Sequence, residues 1–237
     1  MIGDKCIMSK FSNILTMFLV VLIVAILGIA GYFIYDTFNS KAINNKAQSA
    51  IDEFEKSTKK VKRNNSENTS SNEAHTSLED LANLLATNSN TSEETNKAEK
   101  AYYEGYEIKG TIQIPKTNVN YPVLEKVNKK TLEIAVAIAY GPGLNKEGNT
   151  CIYGHNYRNG TFFSNNKKLQ NGDKVLITDQ TGETVTYIIY KIYETDQNDA
   201  TYMTRNTDGR REISLQTCTD DNKARIIIWA AEEGSME

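Results

Sequence analysis

The second half of the sequence predicts an all-β sandwich or barrel, carried behind an N-terminal membrane helix and a polar linker. Three observations lead there. Between residues 102 and 237, short runs rich in Ile, Val, Tyr and Thr recur between turn signals, and about eight of them can be marked out. Pro115, Pro122 and Pro142, the only prolines, all fall in this region at strand ends or turns, where a missing N–H is tolerated. Ahead of it, residues 11–35 carry no charge, and their centre is built from Ile, Leu, Val, Phe and Ala.

Length identifies the first element. A bilayer core takes about 20 apolar residues. The apolar part of a cleaved signal peptide is shorter, roughly 7–15 residues, and no lipobox cysteine follows the stretch. Residues 11–35 are therefore expected to be an uncleaved transmembrane anchor, in which Gly28 and Gly31 are tolerated. Lys5 and Lys10 precede it, which places residues 1–10 in the cytoplasm and the remainder outside. Asp4 and Lys41 dilute that bias.

Residues 36–101 have another composition. Ile43, Ala47, Ile51, Phe54 and Val61 recur at near-helical spacing and predict a helix over 41–62. Residues 64–72 have almost nothing to bury and predict disorder. Ser77 to Asp80 reads as a cap ahead of Leu81, Leu84 and Leu85, and 88–96 is polar again. The segment is expected to be an extracellular spacer, partly helical or disordered, with His75 solvated in it.

From residue 102 the strands follow in order. Ile108, Ile112 and Ile114 mark the first, over 106–115, and Val119 to Leu124 form the second. One helical turn is expected at 129–133. The apolar run 134–140 stops at Gly141-Pro142-Gly143, a strong turn signal. Thr150 to Tyr153 is a short strand ended by Gly154, and a short helix is expected over 161–169. Residues 174–179 and 184–194 make a hairpin across Gln180-Thr181-Gly182, and 195–209 is a polar loop with one turn near 200–204. In the last hairpin, Glu212 to Cys218 alternates, with Ile213, Leu215 and Thr217 on one face. Ile226 to Trp229 is a continuous apolar run suited to a buried strand.

Composition excludes several functions. A net charge of -3 in 237 residues, mixed in sign, gives no case for nucleic acid. The three cysteines, Cys6, Cys151 and Cys218, are scattered, with no CxxC pair and only two histidines, so neither a zinc site nor a disulfide framework is expected. What remains is nucleophilic chemistry. If the last two strands pair, Cys218 closes one and Arg225 opens the other, roughly 4.5–5.5 Å apart at Cβ. A permanent cation beside a thiol favours the thiolate and can hold a carbonyl oxygen. The proton-handling partner would be His155, the one histidine after residue 102, at a strand end. A plainer account stays open on these residues alone: a strand cysteine is more often a small buried hydrophobe.

Several stretches together resemble the sortase family of membrane-anchored cysteine transpeptidases of Gram-positive bacteria. Leu215-Gln216-Thr217-Cys218 with Arg225 resembles its TLxTC segment and arginine, with Ser214 where that pattern has threonine. Ile112 to Lys116 and Val119 to Val123 resemble its first two strands, and Gly141-Pro142-Gly143 through Gly154-His155-Asn156 its histidine segment. The resemblance covers residues 107–231. It implies a closed eight-stranded barrel in a catalytic domain over 102–237. It also implies Cys218 as nucleophile, His155 as acid and base, Arg225 as substrate or oxyanion ligand, and Thr217 as a further oxyanion contact. The implied partners are surface proteins with an LPxTG-like sorting signal and lipid II or another cell-wall amine. No cofactor is required, and no acidic cluster predicts the calcium that some sortases bind. The stretch from Gly154 to Phe163 is similar to class B sequences, although 195–209 is short for that class. Neither the Asp-aromatic lid nor the C-terminal span of pilin-polymerising sortases is found, so a single-substrate anchoring or housekeeping type is expected.

Two other functions fit the same residues. One is a membrane-tethered cysteine peptidase that only hydrolyses, and the other a non-enzymatic surface binding domain. Cys151, four residues before His155, is expected to pack in the core, with a redox partnership to Cys218 as the sharper alternative.

Overall fold

Alternation of apolar and polar residues closes into a barrel in the computed structural model, which describes residues 3–69 and 100–236. The cap at 77–80, His75 and the polar run 88–96 lie outside the described residues. The chain divides into two units, Met1–Ala42 and Ile43–Glu237. Helix α1 spans Gly3–Thr69, and its part within the first unit presents Leu15, Phe18, Leu22, Ile26 and Leu27 as exposed apolar side chains. Among the described residues, one helix is long and apolar enough to cross a membrane. Residues 64–69, expected to be disordered, continue α1 instead.

Among the described residues, the second unit holds nine strands: β1 (Tyr102–Tyr103), β2 (Tyr106–Ile114), β3 (Val119–Leu124), β4 (Val136–Tyr140), β5 (Gly148–Tyr153), β6 (Lys174–Asp179), β7 (Thr184–Asp196), β8 (Arg211–Cys218) and β9 (Ala224–Glu232). Eight of them form a closed mixed barrel in the order β2-β3-β4-β5-β8-β9-β7-β6, sealed by β2 against β6, with the two-residue β1 added to β2. The β3–β4 and β5–β8 pairs are parallel and the rest antiparallel. Closure removes the edges that an open sheet would expose. Inward residues such as Ile112, Ile114, Ile152, Ile177, Leu215 and Ile228 fill one core.

The parallel β3–β4 pair needs a crossover, and α2 (Lys129–Ile134) supplies it. Its start is set by a capping box: Asn128 accepts from the Thr131 N–H while the Thr131 hydroxyl accepts from the Asn128 N–H. The helix expected over 161–169 is reduced to a 3-10 turn, Asn166–Lys168. β9 runs on to Glu232 because Ala230 and Ala231 are small enough to stay buried in the ladder.

The helix expected over 41–62 forms, and it is part of the folded unit rather than a free-standing spacer. Ala47, Ile51 and Phe54 lie at i, i+4 and i+7 and are buried. Phe54 packs with Tyr103, Ile108 and Leu124, and Ala47 joins the main core. Polar contacts fix the register: the Tyr121 hydroxyl donates to Asn44, and the Asn120 amide donates to Gln48.

Glu107, on β2, is buried and accepts from Lys100 (2.8 Å), Lys109 (2.7 Å) and Gln180 (2.9 Å). Burial alone would raise its pKa, but these donors outweigh burial and hold it at about 2. The unfolded carboxyl titrates near 4.5, so the stabilisation is complete above that pH and is lost as pH falls towards 2. Denaturant midpoints at pH 6 and pH 3 should differ less for Glu107→Gln than for the parent, with roughly 1–2 kcal/mol of the acid loss removed.

Candidate active site

β8 and β9 carry the two charge-handling residues by register. Cys218 pairs directly with Arg225 across the ladder. Beyond that pair, the Thr219 N–H donates to the Ala224 carbonyl (3.1 Å). Hydrogen-bonded pairs alternate with non-bonded ones, so Cys218 and Arg225 form a non-bonded pair, the type whose side chains stand closer. The hairpin turns through Asn222 at φ 62, a left-handed position that Asn tolerates. Asp221 accepts from the Thr219 hydroxyl and from the Lys223 N–H. Both Cys218 and Arg225 are partly exposed. The Arg225 guanidinium donates to the Ala224 carbonyl (3.1 Å) and, among the described residues, enters no ion pair.

The parallel β5–β8 pair brings in the imidazole. Its last partners are Tyr153 and Gln216, and the Gly154 N–H donates to the Gln216 carbonyl (3.1 Å). Two residues further along each strand come His155 and Cys218. Gly154 is required here: a Cβ on it would lie 2.7 Å from Phe163 and 2.9 Å from Val136. The His155 carbonyl accepts from the Phe163 N–H (3.1 Å), and the Tyr157 ring stacks at 4.8 Å from the imidazole. Phe162 underlies Tyr157 and is fully buried at φ 49, a strained position for a bulky residue that its packing against Tyr121 sustains. The Asn156 side chain reaches across to the Cys218 carbonyl and to Asp220.

Burial lowers the His155 pKa, and the nearby Glu133 carboxylate on α2 opposes that effect. The imidazole is therefore neutral at pH 7, able to accept a proton. An NMR titration of the His155 ring should show a midpoint below 6.5, and Glu133→Gln should lower it further. A midpoint unmoved by that substitution would remove Glu133 from the site.

Thr217 is not where an oxyanion ligand belongs. It alternates with Cys218, faces the barrel interior at 2% exposure, and its hydroxyl is buried without a partner among the described residues. Cys151 is buried, and burial pushes its thiol up to about 11. It pairs with Ser214, four residues from Cys218 along β8, about 13 Å at the usual strand rise. A disulfide needs Cα atoms within about 7 Å, so Cys151 is a packing residue and not a redox partner. Among the described residues, no group of three or more His, Cys, Asp or Glu side chains is gathered to hold a metal ion.

The loop between β7 and β8 lies over the outer face of the sheet. Tyr202 from its 3-10 turn packs on Cys151 and Ile227, and its hydroxyl meets Tyr153 (2.6 Å) and Gln216 (2.9 Å). Along the strands, that hydroxyl cluster is the next polar feature after Cys218.

A family model described as Sortase domain matches residues 112–233, a little over half of the chain. The chain belongs to the sortase family. Its fold is similar to that of a Clostridium perfringens sortase D5 transpeptidase, at 23% identity and a TM-score of 0.55, covering 80% of this sortase and 99% of that chain. It is also similar to a pilus-related sortase C of Group B Streptococcus, at 24% identity and a TM-score of 0.50, covering 60% of this chain and 78% of that one. At these identities the likeness is one of fold. No curated protein matches the sequence.

Proposed function

We propose that this sortase is a membrane-anchored transpeptidase in which Cys218 is the nucleophile, His155 the general acid and base, and Arg225 the oxyanion and substrate ligand. The observation that carries the reading is the direct cross-strand pairing of Cys218 with Arg225. The Cys218 thiol passes its proton to the neutral His155 imidazole, and the thiolate attacks the carbonyl carbon of a sorting-signal residue, threonine in an LPxTG-like motif. The carbonyl oxygen becomes an oxyanion facing the Arg225 guanidinium. As the peptide C–N bond breaks, His155 gives its proton to the leaving amine, and a thioester remains on Cys218. An incoming amine of a cell-wall precursor loses its proton to His155 and attacks the thioester. Cys218 leaves as thiolate, so one amide is exchanged for another.

The apolar helix anchors the enzyme, with residues 1–10 inside and the barrel outside, where cell-wall precursors are found. The full chain, in detergent, should convert an LPxTG-type peptide and triglycine into a ligated product. An acyl adduct should be recoverable on the Cys218 peptide by mass spectrometry. Cleavage without ligation at saturating amine would establish the hydrolytic peptidase instead, and no adduct on Cys218 would end the covalent mechanism.

A further inference from the structure

We infer that Asn156, braced by Asp220, is a positioning residue that sets the separation of the thiol and the imidazole. The inference rests on the assignment of Cys218 and His155 above. β5 ends at Tyr153, so the backbone that carries His155 has left the ladder. Asn156 follows immediately and is buried at 8% exposure. Its amide has two N–H donors, and both cross to the other strand. One goes to the carbonyl of Cys218 (3.0 Å) and one to Oδ1 of Asp220 (3.0 Å). Its Oδ1 accepts from the Arg158 N–H (3.1 Å). A flipped amide would set its oxygen against two acceptors, so these partners also fix its orientation.

The main chain of the residue bearing the thiol is thereby bonded to the side chain next to the imidazole. Asp220 sits in the hairpin loop beyond the last ladder pair, and its second oxygen is paired with Lys167, from the 3-10 turn Asn166–Lys168. The brace therefore joins three segments: the turn after β5, the start of the β8–β9 loop and the 3-10 turn. The hydrogen bonds from Lys167 and then Asn156 keep the Asp220 carboxyl below its usual pKa, so it stays an acceptor at neutral pH.

A brace of this kind has kinetic consequences. Proton transfer needs heavy atoms within about 2.6–3.2 Å, and a misplacement of about 1 Å can cost on the order of a hundredfold. The backbone Gly154–Gln216 bond and the Tyr202 hydroxyl, which bridges Tyr153 and Gln216, hold the two strands further back, whereas the Asn156 bond reaches the Cys218 main chain itself. Asn156 touches neither reacting atom, so it acts through position.

The test needs no substrate. In the full chain in detergent, the rate at which iodoacetamide alkylates Cys218 is followed by peptide mass across pH 5–10, in the parent and in His155→Ala. The difference between their midpoints measures the coupling of thiol and imidazole. Asn156→Ala and Asp220→Ala should each move the midpoint at least half of the way to the His155→Ala value. The double variant should move it no further than the larger single one, because both act through one hydrogen bond. Asp220→Asn keeps an acceptor oxygen for Asn156 and should stay near the parent. Asp220 lies in an exposed loop, so its variants remain informative if Asn156→Ala fails to fold. Parent and His155→Ala profiles that coincide would overturn the Cys–His assignment. Distinct profiles, with Asn156→Ala and Asp220→Ala both at the parent midpoint, would overturn the brace alone. So would an Asp220→Asn profile as displaced as Asp220→Ala, which would assign Asp220 a direct charge effect.

Discussion

Cys218→Ala should abolish peptide turnover and leave the barrel folded. The sulfur stands on the outward face of β8 with partial exposure, so its loss removes little packing. Surface substitutions of that kind usually stay within about 0.5 kcal/mol. The chemical loss is of another order, because without the thiolate no thioester forms. Removing a covalent nucleophile costs on the order of 10³-fold or more in kcat. His155→Ala should approach the same floor, since the leaving amine then departs without a proton. Arg225→Ala should cost about 10²–10³-fold, the range for losing one oxyanion donor. The three losses should not multiply, because the residues serve one step. A fluorogenic LPxTG-type peptide and a thermal melt on each variant make the comparison. If Cys218→Ala kept more than a few per cent of parental turnover, the nucleophile would lie elsewhere.

How much of this site could be read from the residues depended on how local each interaction is. The Cys218–Arg225 pair was legible because one short loop joins its strands and both carry clear patterns. His155 could be named as the only histidine after residue 102, but its closeness to Cys218 rests on the parallel β5–β8 pair. Nothing in either strand announces that pairing. The same non-local register hides the Asn156 bond to Cys218, although Asn beside His155 and Asp220 two residues after Cys218 were in plain view. For α1 the helical spacing was visible over 41–62, but its partners Tyr103, Ile108 and Leu124 were not, so a core-lining helix read as a spacer. With Thr217 the alternation and the resemblance disagreed, since the resemblance implied an oxyanion contact and the alternation an inward side chain, which is the placement found. Sharing a face with Ile213 and Leu215 already placed its hydroxyl inside the barrel.

The largest loss of stability should come from Glu212, which lies outside the reaction. It is 1% exposed on β8 and collects Arg210 Nε (2.9 Å), the Tyr190 hydroxyl (2.7 Å) and a close ion pair with Arg205. Arg205 is itself nearly buried. It lies over the Trp229 ring at 4.6 Å and donates to Asn149 (3.1 Å), whose amide holds the carbonyls of Tyr202 and Met203. The cluster thus ties the β7–β8 loop to the outer face of the barrel. Glu212→Ala would leave the Arg205 guanidinium buried without its anion. Breaking a buried pair from one side costs about 3–5 kcal/mol. For a unit of this size that is a fall in Tm of roughly 6–20 °C. Replacing both partners, Arg205→Met with Glu212→Met, removes the unpaired charge and should recover much of the loss, because apolar pairs of similar volume often match a buried ion pair. A double variant as unstable as Glu212→Ala would instead put the energy in the bonds to Arg210 and Tyr190. The loop carries Tyr202, whose hydroxyl contacts Tyr153 and Gln216 beside the Cys218 end of the sheet. Loosening it should therefore raise the peptide KM at temperatures where the barrel is still folded.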